Sequence, residues 1–83
     1  MADDIRSRVK KVTAALLKVD EAKVTDDARF VEDLGAASIQ SIELVAAYEE
    51  EFDIEMDQDE ALGVKTVGDA VEYIAKVAAE QQG

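Results

Sequence analysis

EDLGAASIQSIELVAAYEEEF, residues 32–52, holds a turn followed by a long amphipathic repeat. Leu34-Gly35-Ala36 comes just before Ser38, and from there Ile39, Ile42, Val45, Tyr48 and Phe52 recur at steps of 3, 3, 3 and 4, with Leu44 widening the stripe. Side chains spaced in this way share one face of an α-helix. The stretch therefore predicts a helix that begins near Ser38 and ends around Phe52–Asp53, with its apolar stripe against the core. Ser38 suits the N-cap position. The residue three further on is Ser41, so the usual Glu or Gln partner of a capping box is missing.

The segments on either side read the same way. Ile5, Val9, Val12, Leu16 and Val19 are spaced 4, 3, 4 and 3 apart, opposite Arg6, Lys10, Lys11 and Lys18. This gives a first helix, capped by Asp3 or Asp4 and fading near Val19–Asp20. Residues 20–37 form a long connection rich in turn formers (Asp20, Thr25, Asp26, Asp27, Gly35), with Val24, Phe30 and Leu34 pinning it to the core. Asp57 to Leu62 makes a short turn of helix stopped at Gly63. Thr66 caps the last helix, with Asp69 three residues on, and Val67, Val71, Ile74 and Ala78 form its stripe. Residues Glu80 to Gly83 are expected to fray. No segment alternates with period two. The expected fold is all-α: one domain over residues 1–83, a four-helix bundle with three longer helices, one short helix and a long first loop.

Composition removes several function classes. The chain of 83 residues has no Cys and no His. Disulfides, the usual zinc sites and histidine-based proton transfer are therefore absent. The acidic run from Asp57 does not fit a calcium loop, because Gly63 falls at position 7 and Gly68 at position 12. The apolar runs are too short to span a bilayer, and no apolar leader follows Met1, so a cytoplasmic monomer with no membrane insertion is expected. The net charge is −11. From Phe30 to Val64 there are 11 acidic residues and no Lys or Arg, while the rest of the chain holds 9 of each sign. Such a block repels nucleic acid and attracts basic protein surfaces. The competing reading of the same block is a solvated acidic face kept for solubility.

Ser38 cannot act as a nucleophile unaided, because the chain offers no histidine base and no Gly-x-Ser-x-Gly elbow. Any chemistry at its hydroxyl needs another protein. No internally complete catalytic set exists, so the chain is not expected to be an enzyme.

These residues resemble an acyl carrier protein of the discrete bacterial type. The likeness spans roughly Ile5 to Ile74. It is densest at Phe30-Val31-Glu32-Asp33-Leu34-Gly35-Ala36, and continues through Glu43-Leu44-Val45, Glu49-Glu50-Glu51-Phe52-Asp53, Thr66-Val67 and Tyr73-Ile74. In that family a serine in an Asp-Ser-Leu motif receives 4′-phosphopantetheine from coenzyme A. The matching tripeptide here is Ala37-Ser38-Ile39, which implies that Ser38 is the cofactor-binding residue. The resemblance implies a carrier of acyl thioesters for fatty acid or related lipid or polyketide biosynthesis. Its implied partners are a phosphopantetheinyl transferase and acyl-transferring synthase enzymes with basic docking surfaces. Ile39, Glu43, Ala46, Glu49 and Glu50 match the family's partner-binding positions. Val45, Tyr48, Phe52, Ala61, Leu62 and Ile74 are implied to line an acyl pocket, although each also reads as an ordinary core residue. Tyr48 stands where a smaller aliphatic residue is common, so it either shortens that pocket or offers a hydroxyl to polar cargo.

Ala37, Gln40 and Ala46 depart from the family pattern, the first two by removing negative charge beside Ser38. Weaker contacts to a basic transferase follow, and with them a specialised carrier. The competing reading is an acidic helical module that binds a basic partner and is never modified.

Overall fold

A computed structural model describes residues 2–82, with side chains from residue 5 onward. The order is α1 (Ala2–Leu17), a 3₁₀ turn (Glu21–Lys23), α2 (Ser38–Phe52), α3 (Gln58–Leu62) and α4 (Val67–Gln82). Among the described residues there is no strand, only an isolated antiparallel bridge between Arg29 and Thr66. The fold is an all-α, four-helix bundle. α1 packs on both α2 and α4, and α3 packs on α2.

The helix ends follow from local chemistry. α1 starts at Ala2, so Asp3 and Asp4 lie inside it rather than before it, and their side chains fall outside the described residues. It stops two residues earlier than the apolar spacing suggests, because Lys18 takes a left-handed φ of 57° and the Val19 N–H reaches back to the Ala14 carbonyl at 3.1 Å. Asp53 closes α2 in the same way, with φ of 55° and the Ile54 N–H on the Glu49 carbonyl at 3.1 Å. The Asp57 carboxylate accepts the Glu60 N–H at 3.1 Å, and the Thr66 hydroxyl accepts the Asp69 N–H at 3.2 Å, which caps α3 and α4. The end of α4 is tied down rather than frayed: Gln82 Nε2 donates to the Phe52 carbonyl at 2.7 Å, and Gln81 bonds both the N–H and the carbonyl of Glu55. Gly83 lies outside the described residues.

The core is aliphatic, centred on Val9, Val24, Val67 and Ile74, and Phe30 and Leu34 of the long loop are buried with them. That loop is stitched to the start of α4. The Gly68, Val67 and Phe30 N–H groups donate to the Asp26, Ala28 and Lys65 carbonyls at 2.7, 3.0 and 3.1 Å. Asp26 is also held from α1, where Lys10 and Arg6 approach its Oδ1 at 3.0 and 3.2 Å. The Lys10 hydrogen bond is the main cause of an Asp26 pKa below the ordinary carboxylate value.

One polar link is fully internal. Thr13 on α1 is buried and donates to the Val9 carbonyl at 2.7 Å. Its single proton is thereby used, so the Tyr48 hydroxyl of α2 donates to Thr13 Oγ1. Burial raises the Tyr48 pKa from 10.0 to about 12, with the Thr13 hydrogen bond a smaller opposing influence.

Two consequences can be measured. A Cβ on Gly68 would sit 2.9 Å from the Asp26 carbonyl oxygen. Gly68→Ala should therefore cost about 1–3 kcal/mol in urea unfolding, through displacement of the loop. The fold favours neutral Tyr48, so its contribution is complete below pH 10.0 and is lost as pH rises through about 12. Between those values the protein should lose about 3 kcal/mol of stability that the Tyr48→Phe variant does not lose.

Candidate functional site

The approach to Ser38 is wound tightly. The Asp33 and Leu34 N–H groups both donate to the Arg29 carbonyl, at 2.9 and 3.1 Å, and the Ala36 N–H donates to Phe30 at 2.8 Å. Gly35 lets the chain turn with φ of 71°. The Asp33 carboxylate accepts the Arg29 backbone N–H at 2.8 Å and its guanidinium at 3.3 Å. Those two bonds, the backbone one first, lower the Asp33 pKa, and the Asp33 carboxylate in turn raises that of Arg29. Arg29 also pairs with Glu32 at 3.0 Å.

Ser38 is not the cap. Ala37 occupies the N-cap position and Ser38 is the first helical residue. Gln40 therefore falls at the third helical position, where its Oε1 accepts the Ala37 N–H at 2.9 Å. This is one half of a capping box. The other half is missing, since an alanine side chain has no acceptor. The Ser38 side chain is exposed, and its hydroxyl enters no hydrogen bond among the described residues. The first turn of α2 carries no acid and no side-chain cap. Its free N–H groups and the positive end of the helix dipole thus face solvent beside a free hydroxyl, a setting that tolerates a phosphate. Ser41, one turn on, differs: it is half-buried, and its hydroxyl lies 3.4 Å from the Ala37 carbonyl.

The surface around Ser38 is more apolar than the periodicity suggests. Ile39 and Ile42 were expected in the core stripe, yet they are 67% and 47% exposed. The buried face of α2 is Leu44, Val45, Tyr48 and Phe52. Val31 and Leu62 add further exposed apolar area. Among the expected recognition acids, Glu43 and Glu50 are exposed, as is Ala46. Glu49 is half-buried, and its carboxylate accepts the Met56 N–H at 2.8 Å, so it braces the loop before α3. Glu51 pairs with Arg8 at 2.8 Å. The acidic block is therefore partly compensated by basic residues from outside it.

A cavity of about 110 Å³ opens close to Ser41. Val45, Tyr48, Ala61, Leu62 and Ile74 line it, together with Phe30, Leu44 and Tyr73, which were not among the expected pocket residues. Phe52 does not line it. Its ring lies under the Arg8 guanidinium, 4.4 Å from the ring centre, on the α1 side of the helix. The Tyr48 hydroxyl is used by Thr13 and is not offered to the cavity.

Among the described residues no group of three or more His, Cys, Asp or Glu is placed to hold a metal, and no helix is long and apolar enough to cross a membrane. A family model described as "Phosphopantetheine attachment site" matches residues 7–74.

The half box at Gln40 gives a direct test of the helix start. Gln40→Ala should lose about 0.5–1 kcal/mol in urea unfolding, whereas Gln40→Glu keeps the acceptor, adds charge at the positive helix end and should match or exceed the parent.

Proposed function

Because the chain belongs to the phosphopantetheine attachment site family, whose domain is a site of covalent 4′-phosphopantetheine attachment, we propose that Ser38 carries the arm and that this protein is an acyl carrier. The observation that carries the reading is the free, exposed hydroxyl on the first residue of α2, beside uncapped N–H groups. The chain has two other serines. Ser7 lies within α1, remote in sequence from the uncapped helix start, and Ser41 is half-buried, with its hydroxyl 3.4 Å from the Ala37 carbonyl.

The chain's own residues prepare the position and do not activate it. The turn through Arg29–Ala36 fixes where α2 begins. The bond from Ala37 to Gln40 keeps the first turn formed without placing a carboxylate near the incoming phosphate. A transferase supplies the base and the magnesium ion. Ser38 Oγ bonds to the phosphorus of coenzyme A that bears the pantetheine, the P–O bond of the pyrophosphate breaks, and adenosine 3′,5′-bisphosphate leaves. The serine proton passes to the transferase base. Attached to Ser38, the arm would supply the thiol that this chain lacks, the group on which acyl units are held as thioesters.

Partner enzymes for fatty acid, lipid or polyketide synthesis then dock on α2. Glu43 and Glu50 meet basic side chains, and Ile39, Ile42 and Ala46 provide the apolar contact. Exposed pairs of this kind contribute only about 0.2–1 kcal/mol each, which suits a complex that must release quickly. Without an acid at Ala37 or Gln40, the surface beside Ser38 is less negative than its family pattern, and this marks a specialised carrier.

Intact mass after incubation with coenzyme A and a phosphopantetheinyl transferase tests the reading. One arm should be added to the wild type and to Ser41→Ala, and none to Ser38→Ala. A wild type that stays bare with several competent transferases contradicts it and leaves an unmodified acidic module.

A further inference from the structure

The cavity beside α2 has a floor that is fixed in a particular way. Its mouth is formed by exposed Val31, Glu32, Leu62 and Lys65, and its floor by buried Phe30, Tyr48 and Ile74. Ser41 lines it and lies one turn along α2 from Ser38, roughly 4–5 Å of helix rise, so the opening is on the same side as the free hydroxyl. Buried apolar walls with polar groups confined to the rim suit an alkyl chain that enters from the rim.

Its size is limiting. An apolar protein cavity of about 150 Å³ holds one benzene ring, six carbons. In proportion, about 110 Å³ accommodates roughly four. A deeper chain would need the floor to move. Side-chain plasticity could supply that room at Ile74 or Leu44, which are held by packing alone. Tyr48 is different. Its ring is locked by the hydrogen bond from its hydroxyl to Thr13, and Thr13 is locked to the Val9 carbonyl of α1. Swinging the ring aside would break a buried hydrogen bond and leave the phenol unpaired, a far costlier change than a rotamer hop in an aliphatic core.

We propose that this cavity selects short acyl groups, of about four carbons, and that Tyr48, braced by Thr13, is the specificity-determining residue that sets the limit. The inference rests on the acyl-carrier reading of Ser38 and specifies its cargo class. It also assigns Tyr48 the wall-forming role rather than that of a hydroxyl donor to polar cargo.

The test uses the full chain loaded from acetyl-, butyryl-, hexanoyl- and octanoyl-coenzyme A by a promiscuous transferase. Each methylene buried favours the sequestered form by about fourfold. The melting temperature should rise from acetyl to butyryl and then level off or fall at hexanoyl and octanoyl. In the butyryl form the terminal methyl should show nuclear Overhauser contacts to the Tyr48 ring, and in the octanoyl form it should not. Tyr48→Val should move the break to longer chains. Ala61→Val, which fills the same cavity from α3, should move it to shorter ones and keeps the test available should Tyr48→Val fail to fold. Continued stabilisation through octanoyl in the wild type, or a butyryl methyl with no contact to Tyr48, overturns the inference while leaving the carrier reading intact. Failure to load any acyl group overturns both.

Discussion

Three backbone hydrogen bonds between residues 26–30 and residues 65–68 hold the molecule in its working shape. A connection that runs from Lys18 to Ala37 would otherwise be the least constrained part of so small a domain, because closing and ordering a long loop costs entropy with little core to offset it. Tied to the entrance of α4, the loop buries Phe30 and Leu34 and becomes part of the core. Arg6 and Lys10 of α1 fasten it again at Asp26. The loop's far end is the turn that starts α2, so the position of Ser38 is set by contacts well away from it. Close approach at Gly68 is the condition for this stitching, and it explains why α4 begins Val-Gly rather than with a better helix former.

Charge plays a different part from the one composition alone suggests. The acidic block is continuous along the chain but not in space. Arg8 reaches it from α1 to meet Glu51 and cover the Phe52 ring, and Arg29 meets Glu32 and Asp33. The Arg8 contacts join α1 to α2, whereas the Arg29 pairs lie within the loop. Glu49 accepts the Met56 N–H. The acids left facing solvent on α2, Glu43 and Glu50, lie among exposed Ile39, Ile42 and Ala46. This face of α2 is therefore mixed, with carboxylates beside exposed apolar side chains.

Much of this was legible in the residues. Periodicity located the three longer helices, and Thr66 announced the cap of α4, whereas the capping role of Asp57 at α3 emerges only in the structure. The start of α2 was harder to read. Alanine is a poor N-cap, so the eye passes to Ser38, and only the reach of Gln40 back to Ala37 reveals the true register. Ile39 and Ile42 could not be assigned from spacing, since an apolar stripe looks the same whether it faces a core or a partner. The Thr13–Tyr48 link joins positions 35 residues apart and has no local signature. The tie from Gln81 and Gln82 to the end of α2 is hidden for the same reason: polar residues at a terminus usually read as solvated.

The proposed attachment is one bond, between the oxygen of residue 38 and a phosphorus atom. Phosphorus–proton correlation spectroscopy on the holo protein observes that bond without reference to activity. A single phosphodiester resonance correlated with the Ser38 β-protons is the expected result. A correlation to the β-protons of Ser7 or Ser41, or a phosphorus signal with no link to any serine, would contradict it.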